Sequence, residues 1–316
     1  MSVFYVVLNK TVIMMALIAI GYLLGRKGVV SRQAGRDLAV LETRFFLPAY
    51  LFTVLSENLD AQKLRVNLGL LLFGLVFFVV LIVLSFLLSR TVRGEPLERF
   101  MAFYMLNYPN YGYFGYPVVL AAYGPEVLTQ FIIFALPITL SINTYGAWLL
   151  TTRRSQSPHE KFTPKSLLAL PFEVFAAVIF GALCGLLDLP LPGVVGEFFS
   201  FSAACMSPVA MLLTGLILST LPPGKIFGSG KAYYFNALKL VILPAITGSV
   251  FYLVGLRGIY LAFPVVMSAM PVGMNVVIFS RPEQPDYQSS GVTCFISYVI
   301  ALLTVPAVFG LLSLVI

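Results

Sequence analysis

The run Asn107, Tyr108, Pro109, Asn110, Tyr111, Gly112 stands inside an otherwise apolar stretch, residues 100–123. Pro109 has no N–H and its ring clashes with the carbonyl four residues earlier, and Gly112 has little helix preference, so the helical ladder should open there. An opened backbone offers unpaired N–H groups, and the two Asn amides add NH₂ donors and carbonyl acceptors beside them. That is chemistry suited to a carboxylate or another small anion. A second interruption follows at Pro271, Gly273 and Asn275. Two interrupted membrane helices in corresponding places are how many secondary transporters build a substrate site. The substrate-binding candidates are therefore Asn107, Pro109, Asn110, Tyr111, Pro271, Gly273 and Asn275. For Asn110 the alternative is that its amide caps the broken helix. Tyr108, Tyr111 and Tyr113 could stack on a ligand or serve as packing aromatics.

The elements that carry these residues follow from composition. With 59% apolar and 10% charged residues, the chain departs from soluble domains, where roughly a quarter of residues are charged. It reads as an all-α polytopic membrane protein. Ten apolar spans can be drawn near 3–25, 35–55, 66–90, 98–123, 127–152, 166–186, 194–219, 231–254, 259–280 and 287–313. The first span is a full crossing flanked by Arg26 and Lys27, so no cleavable signal is expected there. Fourteen of the twenty basic residues fall in loops after odd-numbered spans, among them Arg26, Lys27, Arg90, Arg153, Lys225 and Arg281. The positive-inside rule then makes those loops cytoplasmic and turns both termini outward. The net charge of +7 is an orientation signal on this reading, so no nucleic-acid partner is expected. Membrane lipid is the expected surrounding.

Pro48 and Pro208 are offset by 160 residues, and Pro109 and Pro271 by 162. Near-constant offsets predict two halves of five spans, residues 1–152 and 166–316, joined by a cytoplasmic linker at 153–165. An odd number of spans per half forces the second half to be inverted.

Charged and polar residues within spans are candidates for coupling or gating, because a lone charge at the bilayer centre is costly. They are Glu42, Lys239, Glu173, Asn143 and Ser289. Glu42 and Arg44 should point to different sides of their helix, with Arg44 snorkelling. Lys239 could reach the interface or pair with a carboxylate. Asn143 and Asn236 read as interhelical hydrogen-bonding groups before ligands. Ser289, Ser290 and Thr293 could help hold an ion or anion. Glu173 either carries a coupling proton or tunes anion selectivity, or it simply turns to the cytoplasmic face.

Cys184, Cys205 and Cys294 show no paired spacing, so neither disulfide nor metal is indicated, and no cofactor is expected beyond a coupling proton or sodium ion. No acidic cluster marks a strong sodium site at the interruptions, though one built of carbonyls remains open. The single histidine, His159, lies in the linker, and no Gly-rich phosphate loop or Ser-His-Asp set can be assembled, so an enzyme is not expected. A membrane sensor or scaffold that binds a ligand without moving it is the alternative to a transporter.

Pro109-Asn110 followed by Gly115, Pro117, Tyr123 and Gly124 resembles the fourth-span signature of the auxin efflux carrier superfamily, which includes the plant PIN-formed proteins and bacterial malate- and malonate-permease-like members. Ile20-Gly21-Tyr22, Phe46-Leu47-Pro48-Ala49, Ser207-Pro208-Val209-Ala210-Met211 with Gly215, Ala269-Met270-Pro271, Ser289 and Pro306 agree in order and spacing. The resemblance covers essentially the whole chain. It implies an inverted 5+5 repeat with broken, crossing helices four and nine, as in bile-acid-transporter-like and sodium-proton-antiporter-like proteins. It also implies a scaffold of spans 1, 2, 6 and 7 that forms a homodimer, and a moving transport domain of spans 3–5 and 8–10. The implied cargo is a small organic anion, and the implied location is the plasma membrane or bacterial inner membrane. Glu173 departs from the family, where Asn-Pro is common at the start of span six; this chain has Leu170-Pro171 there.

Overall fold

A computed structural model describes residues 2–59, 61–154, 172–221, 227–278 and 286–314. The predicted linker from residue 155 onward, the start of predicted span six and the side chain of Asn143 lie outside the described residues.

The described residues are mostly helical, as a chain must be where lipid offers its backbone no hydrogen bonds. In order, the helices are α1 (Val3–Arg26), α2 (Arg32–Leu41), α3 (Leu47–Asn58), α4 (Ala61–Ser89), α5 (Pro96–Asn107), α6 (Tyr116–Ser141) and α7 (Ala147–Arg154). The second half holds α8 (Phe172–Leu186), α9 (Gly193–Leu218), α10 (Gly230–Ala237), α11 (Leu243–Leu253), α12 (Ile259–Ala269), α13 (Asn275–Ile278) and α14 (Tyr287–Leu312). Among the described residues, seven stretches are long and apolar enough to cross a membrane: Val3–Arg26, Gln33–Asn58, Asn67–Ser89, Tyr111–Leu150, Gly193–Leu218, Gly230–Leu253 and Gln288–Leu312. Phe172–Leu186 and Ile259–Ala269 are apolar but shorter.

The outer surface is apolar as well as the core. Along α4, Leu72, Leu75, Val76, Val79, Val83 and Phe86 form an exposed stripe at helical spacing. A water-facing helix would not keep such a stripe bare, whereas lipid covers it.

Among the described residues, four π turns interrupt the helices: Glu42–Phe46, Tyr111–Gly115, Ile142–Gly146 and Leu238–Ile242. Three of them precede a proline at the start of the next helix, Pro48, Pro117 and Pro244. Because those prolines lack an N–H, the ladder loses a bond, and it is the residue just before each that reaches back five positions. Leu47 donates to the Glu42 carbonyl, Tyr116 to Tyr111 and Leu243 to Leu238. Pro208, by contrast, sits inside the continuous α9. The local geometry thus likens Pro48 to Pro244 rather than to its expected counterpart Pro208. The fourth turn, at Ile142–Gly146, is not followed by proline.

The 40-residue stretch Tyr111–Leu150 is twice the length a bilayer requires. Gly124 divides it with φ 84° and ψ 178°, a conformation open to glycine but strained for other residues. The division falls at the predicted boundary between spans four and five.

Candidate functional site

The ladder of α5 ends at Asn107, and α12 ends at Ala269. Between each of these ends and the next helix the backbone leaves the helical conformation, and the two segments meet as one antiparallel bridge, Pro109 with Val272. Asn110 N–H donates to the Pro271 carbonyl at 2.8 Å, and Gly273 N–H donates to the Tyr108 carbonyl at 3.2 Å. Backbone groups freed by two interruptions therefore satisfy one another, as burial demands. The approach is close enough that a Cβ on Gly273 would lie 2.6 Å from the Tyr108 carbonyl oxygen.

A cavity of about 60 Å³ opens beside this crossing. Pro109, Asn110, Tyr111, Gly112 and Tyr113 line it from the first interruption, and Gly273, Met274 and Asn275 from the second. Leu47, Leu51, Tyr116, Thr139 and Ile142 complete the wall. Five predicted binding residues thus share one cavity: Pro109, Asn110, Tyr111, Gly273 and Asn275. Pro271 lies behind it and contributes its carbonyl to the bridge. Asn107 is buried and does not line the cavity; its Oδ1 meets no hydrogen-bond donor among the described residues.

Asn110 is held from two sides. Its Oδ1 accepts from Tyr113 N–H at 3.2 Å, which caps the helix that restarts after the break. Its Nδ2 donates to the Tyr298 hydroxyl. Thr214 of α9 donates to the Ala210 carbonyl at 2.7 Å and to Met274 Sδ at 2.7 Å. One residue before Tyr298 on α14, the Ser297 hydroxyl accepts from Val272 N–H at 3.1 Å. Adjacent residues of α14 therefore hold both interruptions. Sequence reasoning passed over Ser297 and Tyr298. The available signal was a Ser-Tyr pair in the middle of an apolar span, where polar groups normally bond across helices.

The tyrosine hydroxyls are anchored by packing partners. Tyr108 bonds to the Ser141 hydroxyl at 2.7 Å, and Tyr111 donates to Thr139 Oγ1 at 2.9 Å.

Lys239 is fully buried and donates to the Leu106 carbonyl at 3.2 Å. It neither reaches the interface nor pairs with a carboxylate among the described residues. Instead it satisfies one of the last-turn carbonyls left without a partner where α5 stops. Glu173 forms an ion pair with Arg44 at 3.2 Å, both side chains substantially exposed, so Arg44 has a partner and Glu173 stands away from the crossing. Glu42, on the same turn as Arg44, is fully buried. Ser289 is exposed and donates to the Asp286 carbonyl at the start of α14, far along the helix from Tyr298. Asn236 joins α10 to α14 through the Thr293 carbonyl at 3.1 Å. Among the described residues no group of three or more His, Cys, Asp or Glu side chains could hold a metal ion.

The sequence has relatives. The family model described as membrane transport protein matches residues 6–168 and 161–309. An uncharacterized transporter of Methanothermobacter thermautotrophicus is 22% identical over 303 residues, covering 92% of this chain and 94% of the relative. An uncharacterized transporter of Methanocaldococcus jannaschii is 22% identical over 309 residues, covering 94% and 96%. Auxin efflux carrier component 1 of Arabidopsis thaliana is 26% identical over 107 residues, 33% of this chain and 17% of the plant protein. The chain, a multi-pass membrane protein with matches spanning nearly its whole length, belongs to the auxin efflux carrier family of membrane transport proteins.

Proposed function

We propose that this protein is a secondary transporter that moves a small organic anion, a carboxylate, by alternating access about the crossing of its two interrupted helices. The observation that carries the reading is the antiparallel bridge between Pro109 and Val272, with a cavity lined from both sides of it. Tyr111 and Gly112, in the first turn after a break, line that cavity, and a helix's first turn presents N–H groups outside its own ladder together with a positive dipole end. At about 60 Å³ the cavity is far below the roughly 300–1,000 Å³ of pockets that enclose drug-sized ligands, which favours a small cargo.

In this reading the helices make ten spans in two inverted halves of five, with both termini outside the cell membrane. Spans 1, 2, 6 and 7 form a fixed, dimerising unit, and spans 3–5 and 8–10 slide against it. Close packing supports the fixed unit: a Cβ on Gly21 or Gly215 would run into the facing backbone of α9 or α1, and one on Gly185 into α3. The protein acts without catalysis, and a proton or sodium ion is its only proposed co-substrate.

A thermal-shift screen of the purified protein over monocarboxylates, dicarboxylates and indole acids, followed by counterflow of the best ligand in proteoliposomes, tests this. Counterflow is expected; stabilisation without counterflow would mark a ligand-binding sensor. Asn110→Ala is expected to weaken binding at least tenfold with the fold intact, and wild-type binding in that variant would remove Asn110 from the site.

A further inference from the structure

Glu42 is fully buried within the apolar stretch Gln33–Asn58, and both of its carboxyl oxygens are without a hydrogen-bond partner among the described residues. It opens the π turn that precedes Pro48. Its carbonyl accepts from Leu47, and Leu47 and Leu51 form part of the cavity wall. Tyr113, another wall residue, lies near enough for the two side chains to interact electrostatically. The carboxyl thus stands on the turn that leads into two residues of the cavity wall and within electrostatic range of a third.

The groups on the elements packed against this turn do not neutralise it. On α2, Asp37 and Arg36 are engaged with Gln33 at the surface. On α3, Tyr50 stacks on Tyr116, and Glu57 lies beside an outer groove together with Glu197 of α9. Arg44 is taken by Glu173 of α8. No cation reaches Glu42 among the described residues. An isolated buried carboxylate is costly, and the cost is removed by a proton or a cation. A metal or sodium ion needs several oxygen ligands, whereas one carboxyl suffices for a proton.

We propose that Glu42 is the proton-binding residue of the transport cycle, holding its proton while sealed behind Tyr113 and exchanging it with water when that wall moves. The step makes and breaks one O–H bond, carboxylate plus proton to carboxylic acid. This inference rests on the transport reading above. Glu42 stands on the unit assigned as fixed and Tyr113 on the one assigned as sliding, so the slide uncovers the carboxyl to the water that accompanies the cargo. Proton exchange is thereby tied to movement, and of the coupling candidates in the sequence the role falls to Glu42 rather than to Glu173.

Infrared spectra of the full-length protein in liposomes across a pH series read carboxyl protonation without any cargo. The wild type is expected to show a titrating carboxyl C=O band that Glu42→Gln lacks and whose midpoint Tyr113→Phe displaces. An identical titration in Glu42→Gln, or an unmoved midpoint in Tyr113→Phe, would overturn the assignment. Vesicles loaded with a pH dye and given gradients of malonate, malate or indole-3-acetate supply the second arm. Proton movement with the carboxylate should fall at least tenfold in Glu42→Gln, and undiminished proton movement in that variant would also overturn it. If none of the three drives flux in the wild type, the transport reading fails for these cargoes, and the infrared titration still decides whether Glu42 binds protons.

Discussion

Asn110 illustrates how little freedom a polar residue keeps in a membrane interior. Its amide oxygen is committed to the Tyr113 N–H and its nitrogen to the Tyr298 hydroxyl, so the orientation of the amide follows from its partners. One N–H and the outer lone pair remain for a ligand. Tyr298→Phe should therefore weaken carboxylate binding even though Tyr298 does not line the cavity. It leaves the Asn110 NH₂ without its acceptor at a cost of about 1–3 kcal/mol. Thermal unfolding in detergent should drop accordingly, and carboxylate affinity should fall with it. Unchanged affinity would separate Tyr298 from the site. The cap and ligand roles weighed for Asn110 do not exclude one another, since the cap uses the oxygen that an anionic ligand would avoid.

The interrupted helices owe their shape to proline, and proline's effect is readable in sequence to different depths. Pro109 and Pro271 marked both interruptions, because a missing N–H and a ring clash are local. That the two breaks serve one site was expected from their corresponding places, and that they cross was expected through the family resemblance; the bonds through Asn110 and Gly273 were not foreseen, since a bridge between residues this far apart in the chain leaves no local trace. The π turns before Pro48, Pro117 and Pro244 were not foreseen; an X-Pro step permits either a kink or a π turn, and packing decides. Nor could the sequence tell that Lys239 would meet a carbonyl, or that Glu173 and not Glu42 would find Arg44, because both depend on which helix faces land together. Glycines carry the element-scale tests. Gly273→Ala places a methyl 2.6 Å from the Tyr108 carbonyl oxygen, so the bridge must part, and carboxylate binding should be lost. Gly215→Ala drives a methyl into the Ile18 carbonyl across the α1–α9 contact, away from the cavity. It should lower stability by about 1–3 kcal/mol, as overpacking does, with binding affinity in the surviving protein unchanged. The two variants together distinguish a lost site from a loosened fold.

For the whole molecule, the charge carried per cycle decides what energy source can drive it. A monocarboxylate moving alone carries one negative charge, worth about 2.3 kcal/mol per 100 mV, which corresponds to roughly a 50-fold change in the gradient it can sustain. If Glu42 sends one proton with each monocarboxylate, the pair is electroneutral and the membrane potential has no hold on it. The wild-type protein in liposomes should then ignore an imposed potential. It should instead follow the proton gradient, and one pH unit of acidity outside should raise the internal carboxylate about tenfold at equilibrium. Glu42→Gln removes the proton and leaves the anion. Its steady state should lose the pH response and follow the potential, with an interior negative by 100 mV lowering the internal carboxylate about 50-fold. Potassium gradients with valinomycin set the potential, and radiolabelled carboxylate reads the distribution. A wild-type protein that already follows the potential would mean that the anion travels alone, that its natural direction is out of a negative cell, and that Glu42 is no part of the coupling.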